Sequence, residues 1–237
     1  MSTRHGGFSG TPWQSMNLGA AVGDDADTVA RNRSEFARAI GAAPVYLKQV
    51  HGTQLVQVTA RDAAPNAPLH EADASLCTEP GVACAVLVAD CLPVLLAAPR
   101  GRAVAAAHAG WRGLAAGVVG ASLLGVCEAA SCEPREVRAW LGACIGPRRF
   151  EVGADVLRAF GVDPRAGDQR RFVARGPGHA GKWLADLAGL ARDRLLAAGV
   201  TAVGGGHWCS VEDASSFFSF RRDGVTGRMA AAVWIRR

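Results

Sequence analysis

The chain has 237 residues, 49% of them hydrophobic, and a formal net charge of +5 that comes mainly from arginine, since only two lysines are present. No run of ~18 apolar residues could span a membrane, no apolar segment near Met1 resembles a secretory signal, and the scattered basic residues outline no nucleic-acid groove. Seven cysteines without a C-x-x-C pair are typical of reduced thiols, so we expect one cytoplasmic domain over residues 1–237 with no membrane or nucleic-acid partner.

The first part of the chain is predicted to hold one helix and several short strands. Asp27 or Thr28 is expected to cap the helix, and Gly41 lies just past its end. In order, the predicted elements are a helix ending near Ile40, strands over 45–50 and 55–59, an exposed loop over 60–71, and a buried strand over 83–90 that Pro93 interrupts.

The second part of the chain is predicted to be richer in helix. In order, its elements are a strand after Pro93, a strand over 102–108, a helix over 113–130, a strand over 137–145, helices over 150–160 and 183–199, and a strand over 229–235. These elements do not alternate as regular βαβ units. The pattern therefore predicts a mixed sheet, or two sheets, covered by helices.

Three reactive side chains lie at the ends of predicted strands. His51 follows the strand over 45–50, Cys91 follows the strand over 83–90, and His108 ends the third strand. Neighbouring strands of one sheet would bring these ends together. Two imidazoles and a thiolate suit zinc and leave a fourth tetrahedral position open, as in catalytic sites. Separations of 39 and 16 residues are far from zinc-finger spacing.

The same residues allow two other interpretations. Cys91 and His108 could form a nucleophile and its general base, without any metal. Each residue taken singly is also more often an ordinary core or turn residue than a ligand, because free cysteine behaves as a small buried hydrophobe. The residue pattern alone leaves the zinc site, the thiol nucleophile and the structural interpretation open.

Short motifs along nearly the whole chain resemble, in the expected order, those of the laccase-domain or polyphenol oxidoreductase family, which includes YfiH-like purine nucleoside phosphorylases and relatives assigned to peptidoglycan editing. The motifs are TRHGGFSG (3–10), NLG (17–19), KQVHG (48–52), ADCLPVLL (89–96), HAGWRGL (108–114), IGPRRFEVG (145–153) and SFRRDGVTGR (219–228). The resemblance implies an α/β fold, a four-layer α/β/β/α sandwich with mixed β-sheets. It also implies that His51, Cys91 and His108 are catalytic zinc ligands.

The resemblance further implies phosphorolysis of purine nucleosides such as adenosine, inosine or methylthioadenosine, giving the base and ribose 1-phosphate. Adenosine deamination is a second implied activity, since zinc lowers the pKa of a bound water to about 7. The expected partners are therefore small molecules, a purine nucleoside and phosphate, bound by a monomer or homodimer. The implied cofactor is Zn²⁺, and Cu²⁺ could occupy the same nitrogen and sulfur donors.

Candidate substrate-binding residues come from the same motifs. Guanidinium groups offer paired donors to phosphate, an indole can stack on a purine, and amides can bind the base or ribose. By role, the candidates are Arg4, Arg112, Arg221 and Arg222 for phosphate, Trp111 for the purine ring, and Asn17 and Gln49 for the base or ribose. Arg112 is also a candidate catalytic residue, because it is adjacent to the turn that follows His108.

Three departures from the family pattern and three alternative functions remain. Phe150 and Phe220 stand where tyrosine is usual, and Ser210 stands where threonine is common. One alternative is a peptidoglycan-precursor editing amidase, and another is a non-catalytic metal-binding protein. The third is a copper-dependent polyphenol oxidase, which the six histidines disfavour because none of them form the H-x-H pairs of a trinuclear copper cluster.

Overall fold

A computed structural model of the chain describes residues 1–64, 67–166, 169–176 and 178–236. The helices are α1 Ala26–Ile40, α2 Trp111–Ala116, α3 Val118–Ala130, α4 Ala154–Ala159, α5 Leu187–Ala197 and α6 Phe220–Asp223. The strands are β1 Ala43–Val45, β2 Leu55–Gln57, β3 Ala74–Cys77, β4 Val82–Val88, β5 Leu92–Ala97, β6 Val104–Ala109, β7 Arg138–Leu141, β8 Glu151–Gly153, β9 Phe172–Ala174, β10 Lys182–Ala185, β11 Ala202–Gly205 and β12 Met229–Trp234. Among the described residues, no helix has the length and apolar character needed to cross a bilayer.

Two mixed sheets and their covering helices form four layers. The larger sheet has the order β11-β7-β5-β6-β3-β2, and the smaller has the order β1-β4-β12. Helices α3 and α5 cover the outer face of the larger sheet, and α1 covers the outer face of the smaller one. A third, separate sheet has the order β8-β10-β9. The expected four-layer α/β/β/α sandwich with mixed β-sheets is confirmed.

The core between the two sheets explains the long apolar strands. Cys84 and Val86 of β4 pack against Val104 and Ala106 of β6, whereas Ala85, between the first two, packs on the side of α1. Both strands are therefore buried on both faces, which favours a nearly continuous apolar run. This is why the strands predicted over 83–90 and 102–108 could be read from the sequence.

Several predicted boundaries are wrong for identifiable reasons. The predicted helix over 113–130 is two helices, because Gly117 adopts a left-handed φ of 105° between them. The predicted helix over 183–199 begins as strand β10, and the Asp186 side chain then accepts from the Gly189 amide to start α5. The predicted helix over 150–160 likewise begins as β8.

Other differences concern caps and strand ends. Asp25, rather than Asp27 or Thr28, caps α1 by accepting from the Thr28 amide. Pro93 lies inside β5 and does not interrupt a strand, because pairing with β7 begins only at Val94. The described residues of the predicted loop, 60–64 and 67–71, contain only an isolated bridge at Glu71, and residues 65–66 lie outside the described part.

The strand predicted over 45–50 is shorter in the structure, because a side chain takes over the hydrogen bonds to β4 that its backbone would otherwise make. Strand β1 pairs with β4 only as far as Val45 and Cys84. Further along β4, the Gln49 side chain donates to the Leu87 carbonyl at 2.9 Å and accepts from the Leu87 amide at 2.7 Å. The chain therefore leaves the sheet before His51 while remaining attached to β4 through this amide.

Candidate active site

His51, Cys91 and His108 meet at one end of the two facing sheets. His51 lies in a turn and adopts a φ of 62°, and Cys91 follows Asp90, which has a φ of 94°. His51 and Asp90 are therefore both in the left-handed region, which non-glycine residues rarely adopt and which is common at functional sites. His108 lies within β6 and is buried. The structure therefore supplies each side chain from a different segment of the chain.

The ligand atoms of these three residues lie within 4.8 Å of one another. Cys91 Sγ is 3.8 Å from His51 Nε2, and the two imidazole rings lie edge to face with centroids 4.7 Å apart. Gly110 allows this approach, since a Cβ there would lie 2.9 Å from His51 Cδ2 and 3.1 Å from Cys91 Sγ. Two imidazole nitrogens and a thiolate at this spacing fit a divalent cation, and they suit zinc or copper.

The buried carboxylate of Asp73 orients this group and was not predicted from the sequence. Its Oδ1 accepts from His108 Nδ1 at 2.8 Å and from the His51 amide at 2.9 Å. Its Oδ2 accepts from the amides of Val50 at 3.1 Å and Gly52 at 2.7 Å. Because Nδ1 of His108 donates to the carboxylate, Nε2 is the ring nitrogen left to bind a cation.

Strand pairing explains how Asp73 reaches the site. It directly precedes β3, which runs antiparallel to β6, and the His108 amide donates to the Asp73 carbonyl at 2.7 Å. Burial acts to raise the pKa of Asp73, but hydrogen bonds from His108, Gly52 and Val50 outweigh it and hold the pKa below its usual value. The carboxylate is therefore ionised at neutral pH. Nothing in the sequence distinguishes Asp73 from the neighbouring acidic residue Glu71.

The protein environment favours a charged sulfur at Cys91. Burial would raise the pKa of this thiol, but hydrogen bonds from His108 and His51 lower it to about 6. Burial acts in the opposite sense on His108, where hydrogen bonds to Asp73 and Cys91 raise the pKa to about 9. Cys91 is therefore a thiolate at neutral pH, which is the form that binds metal.

The His51–Cys91–His108 group lies in a cavity of about 630 Å³, within the range of about 300–1,000 Å³ typical of small-molecule sites. Four predicted substrate residues line it, namely Gln49, Trp111, Arg112 and Arg221. The Arg112 guanidinium lies 4.3 Å from the centroid of the Trp111 ring. Arg221 is exposed, and its guanidinium donates to the Glu151 carbonyl.

The other three predicted substrate residues lie outside the lining of this cavity. Arg4 donates to the carbonyls of Gln14 and Ala214, and Arg222 donates to several backbone carbonyls of the loop over 210–217. Asn17 is fully buried, and its amide bonds to the backbone of Gly19 and Arg228. The structure thus gives these side chains positions in which they hold the surrounding loops.

Further lining residues were not predicted as site residues. Asp90 lines the cavity beside Cys91, and its Oδ1 accepts from Ser210 Oγ at 2.6 Å, so serine supplies the hydroxyl at the position where the family commonly has threonine. Phe150 and Phe220 also line the cavity, and Phe220 is 58% exposed. Two arginines from distant segments, Arg33 and Arg228, also line the cavity, so that cations outnumber carboxylates among the charged residues of its largely apolar described lining.

Comparison with known proteins places the chain in a family. The family model described as multi-copper polyphenol oxidoreductase laccase matches residues 1–236. The purine nucleoside phosphorylase YfiH of Escherichia coli is 45% identical over 240 residues, covering 99% of this chain and 92% of the relative. A purine nucleoside phosphorylase of Pseudomonas aeruginosa is 45% identical over 236 residues, covering 100% of this chain and 92% of the relative.

Solved structures give the same result. A crystal structure of a Neisseria meningitidis protein is 46% identical, has a TM-score of 0.88, and covers 99% of this chain and 92% of its own. YlmD from Geobacillus stearothermophilus is 32% identical, has a TM-score of 0.89, and covers 99% and 90% respectively. The chain therefore belongs to the multi-copper polyphenol oxidoreductase laccase family, with YfiH among its relatives.

Proposed function

We propose that this protein is a metal-dependent purine nucleoside phosphorylase. It converts adenosine or inosine and inorganic phosphate to the free base and ribose 1-phosphate. The observation that carries the proposal is the convergence of His51, Cys91 and His108 in a cavity with aromatic and cationic walls. Relatives that are 45% identical over almost the whole chain and are named purine nucleoside phosphorylases give it independent support.

The cavity offers what phosphorolysis requires. Trp111 and Phe220 present aromatic surfaces suited to a purine ring, and arginine guanidiniums suit the phosphate that attacks the ribose carbon. When bound to the two imidazoles and the thiolate, a divalent cation supplies a Lewis acid with an open coordination position. Asp73 holds His108 in the tautomer that this binding needs.

The lining favours phosphorolysis over the other implied reactions. Zinc deaminases use a carboxylate to carry protons, and among the described residues that line the cavity Asp90 is the only carboxylate, with both oxygens already accepting hydrogen bonds. Multicopper oxidation needs additional metal ligands. Within the described residues, His51, Cys91 and His108 form the only group of three or more that could hold an ion.

The test is a product analysis on the purified, zinc-loaded protein. Adenosine and inosine are incubated with and without inorganic phosphate, and the products are separated by chromatography. We expect adenine or hypoxanthine together with ribose 1-phosphate, formed only when phosphate is present. Inosine produced from adenosine without phosphate would indicate deamination instead, and the absence of both products would refute a nucleoside substrate.

A further inference from the structure

Two half-buried arginines line the cavity without an acidic partner. Arg33 projects from α1, and Arg228 lies just before β12. Across the described ranges, neither guanidinium has a carboxylate within 4.0 Å, although several other arginines do. Placing a cation in a partly desolvated position is costly unless a counter-charge is supplied. The two side chains therefore point to an anion that belongs in this cavity.

The protein satisfies only one guanidinium nitrogen of each side chain and leaves the other donors open. Arg33 Nε donates to the Leu18 carbonyl at 2.9 Å, and its guanidinium lies 4.1 Å from the centroid of the Tyr46 ring. Arg228 Nη1 donates to the carbonyls of Thr226 at 3.0 Å and Gly227 at 3.1 Å. Both terminal nitrogens of Arg33, and Nε and Nη2 of Arg228, have no acceptor among the described residues.

The NLG motif positions these two arginines. Asn17 Oδ1 accepts from the amides of Gly19 and Arg228, each at 2.9 Å, and the Leu18 amide donates to the Arg228 carbonyl at 3.0 Å. A Cβ at Gly19 would lie 2.7 Å from Arg228 Cγ, so only glycine lets this side chain pass. The Leu18–Gly19 backbone therefore borders both arginines, which accounts for a motif that the metal ligands do not use.

The charge of the cavity matches an anionic ligand. Asp90 is the only carboxylate in the described lining, and its oxygens are occupied by Ser210 Oγ and the Arg221 amide. Burial lowers the pKa of both Arg33 and Arg228, and for Arg228 it outweighs the opposing charges of Cys91 and Asp90, neither of which forms an ion pair with it. Arg112 and Arg221, by contrast, are exposed side chains of the same cavity.

We propose that Arg33 and Arg228 form the binding site for inorganic phosphate. This inference rests on the proposed function, in which phosphate is the cosubstrate. Guanidiniums bind phosphate oxygens through paired, charge-assisted hydrogen bonds, and the open donors of Arg33 are its two terminal nitrogens, which can form such a pair. The same chemistry could hold the phosphate of a nucleoside 5′-monophosphate. The experiment therefore includes both ligands.

The test measures phosphate binding without turnover, by calorimetry and ³¹P NMR on the intact protein. Arg33→Met and Arg228→Met should each weaken binding of inorganic phosphate about tenfold or more, and raise its KM but not the KM of the nucleoside. Arg33→Lys and Arg228→Lys keep the charge and most of the stem, so they should retain part of the affinity. Arg38→Met, an exposed change on the same helix at a side chain paired with Glu35, should leave binding unchanged.

The outcomes separate this inference from the proposed function. Arginine-dependent binding of phosphate by a protein that releases no base would support the subsite and remove the phosphorylase activity. Unchanged phosphate affinity in the folded Lys and Met variants would overturn the subsite. Arginine-dependent binding of adenosine 5′-monophosphate that is much tighter than that of inorganic phosphate would overturn the assignment to the free anion.

Discussion

The metal-ligand side and the arginine side of the cavity differ in how completely the protein itself supplies partners for their polar and charged groups. On the metal-ligand side, the Asp73 carboxylate accepts four hydrogen bonds, from His108 and from three successive amides. On the arginine side, Arg33 and Arg228 donate only to backbone carbonyls, and no carboxylate of the described residues lies within 4.0 Å of either guanidinium. The first side is preorganised by the fold alone, whereas the second requires a ligand to complete it.

A third arginine shows that burial alone does not mark a binding site. The side chain of Arg171 is 20% exposed, and it donates to Asp186 at 2.8 Å and to both oxygens of Asp193 at 2.7 and 2.8 Å. These carboxylates neutralise it within the protein. A half-buried arginine therefore indicates a binding site only where the protein supplies no carboxylate to pair with it.

The largest effect is expected on the metal-ligand side. Cys91→Ser replaces the thiolate with a poorer ligand, so we expect zinc content to fall below stoichiometry and base release to fall about a thousandfold or more. Metal analysis and product assays measure this. Cys127→Ser, at a partly buried thiol that does not line the cavity, should retain both properties. A fully active Cys91→Ser protein would rule out the metal mechanism.

The second-largest effect is expected at Asp73, whose carboxylate bonds both His108 and the backbone that carries His51. Asp73→Asn keeps the shape of the side chain but removes its charge, and loss of such a partner typically lowers metal affinity about 10- to 100-fold. Phosphate affinity should not change. The control is Asp62→Asn, since Asp62 also bonds a histidine, His70, at 2.6 Å but belongs to no described metal-binding group. Equal metal affinity in the Asp73→Asn and wild-type proteins, measured by competition with a chelator, would contradict the role.

A smaller effect is expected at the aromatic wall. Phe220→Ala removes a largely exposed ring from the cavity, and loss of an aromatic contact of about 1 kcal/mol should raise the nucleoside KM about fivefold. The KM of phosphate should change less, since the Phe220 ring lies 5.9 Å from the Arg228 guanidinium but offers phosphate no hydrogen-bond donor. Phe8→Ala removes another exposed ring, 47% accessible, that does not line the cavity, and serves as the control. A phosphate-specific defect in Phe220→Ala would place the ring beside the anion instead.

The smallest effect on catalysis is expected at Arg171, whose guanidinium is already paired with carboxylates. Arg171→Met should cost about 1 kcal/mol of unfolding free energy, because the ion pairs it breaks are partly exposed, and a loss of this size lowers Tm by about 2–4 °C. Both KM values should be those of the wild-type protein. Thermal unfolding and steady-state kinetics measure the two effects. A rise in the phosphate KM would show that paired arginines also serve the anion.

The sequence pointed to the three residues of the candidate metal site because their residue types and strand-end positions are unusual. His51, Cys91 and His108 each end or follow an apolar run, and apolar runs are visible without a structure. Asp73 could not be found in this way, since its role depends on the antiparallel pairing of β3 with β6. The four-layer arrangement likewise came from the family resemblance and not from the periodicity of the elements.

The arginines that line the cavity were harder to predict, because the chain contains many arginines and their local sequences do not show which of them bind a ligand. Arg4 and Arg222 lie in family-like motifs, yet their donors bond to backbone carbonyls outside the cavity lining. Arg33 lies in an ordinary amphipathic helix, and nothing in its local sequence separates it from Arg31 or Arg38. Only three-dimensional packing shows which guanidiniums lack a carboxylate.

The anchoring of the His51 turn has a consequence for how the site gains or loses an ion. One carboxylate, Asp73, fixes both the ring of His108 and the backbone over 50–52 that carries His51. Two of the three ligands therefore cannot shift independently, since moving either one strains the bonds of the other. If these residues hold a metal ion as proposed, both imidazoles should bind or release it together, with no stable state in which only one of them is coordinated.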